Sequence, residues 1–311
     1  MGLPQPTSGY FEGDIELCTK GEQYKRLSKI VATASAENRL LGFIGGPPCP
    51  DFSVGGKNKG QHGTNGRLSK TYIELIVQHK PDFFVFENVK GLYRTAKHRE
   101  FFDGLKRELA KAGYVCTERL INALDYGVPQ DRERIILFGV RDAALKKRIG
   151  EFDWKKRQTY ISAKDADWTA SGKKGASPVG SMEMHDLTVQ HWFDKNEVET
   201  HPNSAHQFKP RAGLAKFHAV GEGDDSKKSY KRLHRFRYSP TAAYGNNEVH
   251  IHPLLPRRIS VAEALAVQSM PKEFVLPPEM TLTNMFKTIG NGVPYLAAYG
   301  IALTVLDFLR G

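Results

Sequence analysis

Cys49 stands behind two glycines and two prolines in Gly45-Gly-Pro-Pro-Cys-Pro-Asp-Phe-Ser53, and a thiol on so stiff a loop is a candidate nucleophile. Cys18 and Cys116 lie in unremarkable sequence and are expected as small buried apolar groups. Glu87 and Asn88 end the apolar run of Asp82-Phe-Phe-Val-Phe-Glu-Asn-Val89. A carboxylate leaving such a run is partly desolvated, which suits it to exchange a proton near neutrality. Arg132 and Arg134, two apart before Ile135–Val140, are expected to project to one face and to hold an anion or a carbonyl oxygen. Asn291 and the amides of Thr288-Ile-Gly-Asn-Gly-Val-Pro294 would suit a ligand carboxylate at a helix start. Asp14, in Phe11-Glu-Gly-Asp-Ile15, presents a carboxylate at an expected strand end.

These side chains need elements to position them. The apolar residues from Leu40 to Ile44 read as a central, buried, parallel strand delivering Cys49 to a loop. Asp82–Val89 and Ile135–Val140 read as further buried strands, and ligands collect at the carboxyl edge of parallel α/β sheets. Tyr114–Ala123 alternates like another strand. Helices are expected over Glu22–Glu37, Leu68–His79, Arg94–Ala112 with Gly113 as its stop, and Tyr295–Leu309. Ser260-Val-Ala-Glu263 is a capping-box start for a helix through Gln268. Met1–Tyr10 reads as a loop, and so does the glycine-dense, basic stretch Val54–Gly66, a lid or clamp beside the thiol. Lys57, Lys59 and Arg67 would suit phosphates if it closed on nucleic acid.

The chain has 311 residues and a net charge of +11, enough length for a large core and a basic balance that favours an anionic partner. From Asp142 to Pro240 there are 19 Lys and Arg against 13 Asp and Glu. Loops predominate in that stretch, and Lys231-Arg-Leu-His-Arg-Phe-Arg-Tyr238 interleaves charge with aromatics that could lie against nucleic acid. Three cysteines without paired or metal-type spacing argue against disulfides and a structural zinc, and for a reducing compartment. No long apolar span or cleavage pattern points to a membrane or to export. No His lies beside a matching motif for a Cys-His hydrolase.

Taken together, Gly45–Ser53, Phe86-Glu-Asn-Val89, Gln130-Asp-Arg-Glu-Arg134, Arg258-Ile-Ser-Val-Ala-Glu263 with Gln268, and Gly290-Asn-Gly-Val-Pro294 resemble, in order, the cytosine-5 DNA methyltransferase family. The resemblance implies an α/β, Rossmann-like domain that uses S-adenosylmethionine, its first strands missing, with an inserted loop-rich basic target-recognition domain. The corresponding division is 1–141 catalytic, 142–250 target recognition and 251–311 a return to the catalytic domain. It implies double-stranded DNA as partner, a restriction-modification setting and a prokaryotic cytoplasmic location. It further implies that the Cys49 thiolate adds to C6 of a flipped cytosine, while Glu87 bonds the N3 and amino edge and Arg134 with Arg132 holds the O2 side. Asp14, Pro48, Asn291 and Val293 are the cofactor contacts it implies, and Ser53, Lys57, Lys59, Arg67, Arg235, Arg237 and Arg258 the DNA contacts.

Two departures accompany the likeness. Pro50 stands where family members commonly have Gln. The family's opening Asp-x-Phe-x-Gly-x-Gly turn for the cofactor is absent, so an N-terminal segment or partner polypeptide carrying Phe-x-Gly-x-Gly is expected to complete the enzyme. A non-catalytic DNA-binding remnant and a tRNA cytosine-5 methyltransferase are the alternative readings. Tyr295–Leu309, apolar on most faces, is expected to expose an apolar patch.

Overall fold

The computed structural model describes residues 9–48, 64–166, 168, 182–210, 214–227, 229–241, 244 and 249–311. They fall into two compact units. One holds the described residues up to Ile121, with Glu133–Trp154 and Asp307–Gly311; the other holds Asn122–Arg132 and Lys155–Leu306.

The first unit carries α1 (Gly21–Ala36), β1 (Gly42–Gly45), α2 (Thr64–His79), β2 (Phe83–Val89), α3 (Lys90–Arg94), α4 (Ala96–Lys111), β3 (Val115–Asn122), β4 (Glu133–Val140) and α5 (Ala143–Arg148). The strands form one sheet in the order β1-β2-β4-β3. β1 pairs with β2 in parallel, and β2 pairs with β4 antiparallel. β2 is apolar on both faces because both faces are covered. Phe84 and Phe86 are fully buried; Phe86 stacks with Tyr72 of α2 and Phe102 of α4, each at 6.2 Å, and Phe84 meets Tyr114 edge-on at 5.3 Å. On the opposite face Phe138 stacks on Phe152 at 4.6 Å and meets Phe308 edge-on at 5.5 Å. Each such ring contributes on the order of 1.5–3 kcal/mol by leaving water. Gly139 is required by this packing, since a Cβ there would come within 2.3 Å of the Phe84 ring.

Several expectations change in this unit. β1 is a sheet edge among the described residues, and Ile44 is 75% exposed; the apolar run does pair in parallel, but it is neither central nor buried. Asp14 does not end a strand: its carboxylate accepts from Glu16 N at 2.9 Å and caps a short 3-10 helix, Ile15–Thr19, as Asp does where the first amides lack partners. The expected helix Arg94–Ala112 is found as α4, set off by the extended Thr95 from a short preceding helix, α3, that was not expected. In α4, His98, Phe102, Leu105 and Leu109 make the buried stripe and Gly113, at φ +92°, ends it. α2 begins at Thr64, within the stretch expected as loop.

The second unit is mostly irregular, as composition suggested. Its elements are α6 (Met182–His185), α7 (Val189–Lys195), α8 (Leu214–Ala219), the two-residue strands β5 (Lys231–Arg232) and β6 (His250–Ile251), α9 (Val261–Val267), α10 (Leu282–Asn291) and, as far as Leu306, α11 (Tyr295–Arg310). Trp192 and Phe193 of α7 pack with α9 and with Met285 and Phe286 of α10 in one core. Thr288–Asn291, expected as a turn, is the last turn of α10. The apolar stretch Leu282–Arg310 has the length and composition to cross a membrane, a span the sequence reading did not foresee. It is broken at Gly292 to Pro294 into α10 and α11, and Met285, Phe286, Ile289, Ala297 and Ile301 are buried in this unit. α11 nevertheless leaves Tyr295, Tyr299 and Leu306 at 40%, 53% and 37% exposure.

α9 starts as its sequence specifies. Ser260 Oγ accepts from Glu263 N at 3.2 Å, and Glu263 accepts in return from Ser260 N at 2.7 Å. The same buried carboxylate forks onto Arg257, at 2.8 and 2.6 Å. Removing the cap alone, by Ser260→Ala, should cost about 1 kcal/mol. Glu263→Ala also strands the Arg257 charge and should cost about 3–5 kcal/mol, read as the relative shift of the two variants' denaturant midpoints.

Candidate active site

The end of β1 and the end of β2 lie side by side, and both glycines before Cys49 are close-approach positions. A Cβ on Gly45 would come within 2.5 Å of the Tyr72 ring, whose hydroxyl donates to Val85 O at 3.0 Å. A Cβ on Gly46 would sit 2.8 Å from Glu87 Oε2. The carboxylate of β2 therefore rests directly on the loop that leads to Cys49. Asn88, buried beside it, donates to Pro47 O at 3.5 Å and accepts from Val89 N at 2.8 Å, a light tether of that loop to the strand.

Arg134 completes this arrangement through sheet register. Glu87 lies opposite Ile136 and Val89 opposite Arg134, so Arg134 is the diagonal neighbour of Glu87 on the same face. Its Nε donates to Glu87 Oε1 at 2.9 Å, with the two side chains only 14% and 19% exposed. Arg134 also donates to Glu133 O at 2.9 Å. Glu133 in turn holds Lys90 at 2.7 Å and Arg94 at 2.9 Å, two cations that the sequence reading did not single out.

Arg132 has another task. It precedes β4, is 1% exposed, and donates to Gly290 O at 2.8 Å and Gly292 O at 3.0 Å. The shared face expected for Arg132 and Arg134 is not found, because Arg132 is outside the strand and its guanidinium serves the carbonyls that end α10. Gln268 joins the same turn, donating to Ile289 O at 3.1 Å and accepting from Tyr295 N at 3.0 Å. Leu296 N donates to Ser269 Oγ at 3.1 Å, and Gly292 N to Thr288 O at 3.0 Å. The Gly292 amide is thus taken up by the last turn of α10, while Asn291 and Val293 beside it are exposed.

The other sequence-marked residues divide similarly. Cys49, Ser53, Lys57 and Lys59 lie outside the described residues. Asp14, Pro48, Asn291 and Val293 are all exposed. Arg67 pairs with Glu16 at 2.8 Å. Arg235 grips Glu222 through Nε at 2.9 Å and Nη2 at 3.2 Å, Arg237 is half-buried, and Arg258 lies 5.1 Å over the Phe208 ring. Arg232, in the middle of the most basic run, is buried, and donates to Val220 O at 2.6 Å, His252 O at 2.7 Å, Leu255 O at 3.1 Å and Phe217 O. It is a frame for loops, and nothing in the run distinguished it from its neighbours. Of the remaining thiols, burial pushes Cys116 up to about 12 and raises Cys18, so neither is a thiolate at neutral pH.

The family model for C-5 cytosine-specific DNA methylase matches residues 27–306. The chain is 60% identical over 311 residues to the type II methyltransferase M.NmeDI of Neisseria meningitidis serogroup C, across 100% of this chain and 74% of that protein. It is 30% identical over 306 residues to the type II methyltransferase M.XorII of Xanthomonas oryzae pv. oryzae, across 86% of this chain and 68% of that one. Its fold is similar to that of a prophage-encoded DNA modification methyltransferase of E. coli, with a TM-score of 0.60, 22% identity, and 91% and 83% of the two chains covered. The Dnmt2 methyltransferase of S. pombe matches with a TM-score of 0.53 at 11% identity, over 92% and 83% of the two chains.

The two arginines should separate experimentally. Arg132→Ala removes a buried charged donor from two carbonyls and should lose about 2–3 kcal/mol of stability, measured by denaturant unfolding. Arg134→Ala strands the Glu87 carboxylate and should lose about 3 kcal/mol as well, so the separating readout is turnover per folded molecule, which Arg134→Ala should impair about 10²-fold and Arg132→Ala far less.

Proposed function

The chain belongs to the C-5 cytosine-specific DNA methylase family, and on that premise we propose how its residues divide the reaction. It is a DNA (cytosine-5)-methyltransferase. The observation that supports the assignment of roles is Glu87, held between Gly46 of the Cys49 loop and the Arg134 guanidinium.

Cytosine is a poor carbon nucleophile, and C5 and C6 are stacked inside a duplex, so the base must leave the helix. In our reading Cys49 Sγ, as thiolate, forms a bond to C6, and the displaced electron pair builds up at C5 and along the N3 and O2 side. Glu87 meets N3 and the amino edge, where that charge is neutralised, and Arg134 holds Glu87 in register and faces the O2 side. After transfer, a base takes the C5 proton, the C5–H electron pair re-forms the C5–C6 double bond, and the C6–S bond breaks to return Cys49 Sγ as thiolate. Splitting one difficult substitution into addition and elimination is what a covalent nucleophile contributes. Arg132 acts at one remove, as a positioning residue for the Gly290–Gly292 carbonyls.

S-adenosylmethionine, the methyl donor we assign, supplies an electrophilic methyl group for C5. Asp14, Pro48, Asn291 and Val293, all exposed, offer a carboxylate, a carboxamide, backbone and apolar surface that suit its adenine, amino acid and ribose portions. The rest of the cofactor site we assign to polypeptide bearing the Phe-x-Gly-x-Gly turn that this sequence lacks. Support comes from β1, a sheet edge among the described residues, with Ile44 75% exposed. Target recognition we place in the basic segment 142–250, with Arg237 and Arg258 as contacts. Type II restriction-modification, in the bacterial cytoplasm beside the chromosome, is the setting that the names of the two relatives support.

The isolated chain should lack methyl transfer to duplex DNA and gain it when a polypeptide with the glycine turn is added; full activity of the isolated chain would sink the completion. In the competent enzyme, duplex containing 5-fluorocytosine should trap a covalent adduct that Cys49→Ala does not form. Glu87→Gln should slow turnover about 10²-fold. Methyl transfer to RNA but not to duplex DNA would overturn the substrate.

A further inference from the structure

We infer that His185, Asp186 and His191, at the corner between α6 and α7, form a binding site for one divalent transition-metal ion of the zinc type. One ligand atom from each of the three lies within 4.8 Å of the others. His185 Nδ1 is 3.7 Å and His191 Nδ1 3.8 Å from the same atom, Asp186 Oδ1. Those separations are too long for hydrogen bonds. They are close to the spacing of neighbouring donors on one tetrahedral ion, about 3.4 Å when each bond is near 2.1 Å. The imidazole rings stand edge-on, 5.0 Å apart at 81°, so their nitrogens can converge on one point with small side-chain rotations.

The surroundings hold the three ligands for this role. Tyr160 Oη donates to Asp186 Oδ2 at 3.2 Å, which leaves Oδ1 as the single oxygen shared between the histidines. Trp192 Nε1 donates to Asp186 O at 2.8 Å. Thr188 donates through its hydroxyl to His185 O at 2.8 Å, and the same hydroxyl oxygen accepts from His191 N at 3.3 Å. These bonds fix the backbone that carries the three ligands, and Tyr160 is an outer-shell partner of the Asp186 carboxylate. Two imidazoles and one carboxylate suit Zn²⁺ and its neighbours over Mg²⁺ or Ca²⁺, with a fourth position left to water. The shortage of cysteines with metal spacing argues against a thiolate zinc site and has no bearing on this one.

The test uses the full chain, stripped with a chelator and titrated with Zn²⁺ against a chromophoric competitor. One equivalent should bind, and His185→Ala and His191→Ala should each abolish it. Tyr160→Phe should weaken it about 10-fold. A variant with Cys18, Cys49 and Cys116 all changed to Ser should still bind, and its Co²⁺ form should lack a thiolate charge-transfer band. Loss of binding in that cysteine-free variant, undiminished binding after His191→Ala, or no saturable binding at all would each overturn the proposal.

Discussion

The contact on which the site depends is the ion pair between Glu87 and Arg134. Neither residue could reach the other along the chain. They meet because β2 and β4 run antiparallel with Glu87 opposite Ile136, which makes Arg134 its diagonal neighbour on one face. A slip of one residue would turn Arg134 to the face covered by α2 and α4, and the carboxylate would lose its partner. What prevents the slip is the alternation of large rings along both strands. Phe84 needs the bare backbone of Gly139 opposite it, and Phe138 needs Phe152 and Phe308. The chemistry is thus referenced to the hydrophobic core of its own unit.

The same economy explains the glycines. Gly45 and Gly46 are small because Tyr72 and Glu87 press against them. The loop toward Cys49 leaves the sheet under the carboxylate, and any side chain at Gly46 would push the two apart. Buried arginines play the complementary part in the second unit. Arg132 and Arg232 spend their guanidinium groups on backbone carbonyls of irregular segments. A loop-rich region has few ladders to satisfy its peptide groups, and a five-donor fork replaces several of them at once. Part of the basic excess is therefore structural, and only the remainder is available to nucleic acid.

The corner of α6 and α7 belongs to that irregular region too. Its histidines and aspartate are gathered by local hydrogen bonds through Thr188 and Trp192, and a metal ion there would do for a short helical corner what a core does for a longer one.

The sequence alone determined the helices with clear periodicity or caps: α4 with its apolar stripe and Gly113 stop, α9 with its Ser260 and Glu263 box, and α11. It determined the strands β2, β3 and β4 as well, and the order of motifs that marks the family, because each of these is a local pattern of burial or capping. It also picked out Glu87 and Arg134 individually. Tertiary structure alone decided that these two pair, that Arg132 turns away from them, that Arg232 is buried, and that β1 lies at an edge of the sheet among the described residues. The reason is common to all four. A charged side chain's role depends on which backbone or carboxylate is brought to it by non-local pairing, and an apolar strand's burial depends on what covers it. Neither is encoded in the residue's own neighbourhood along the chain.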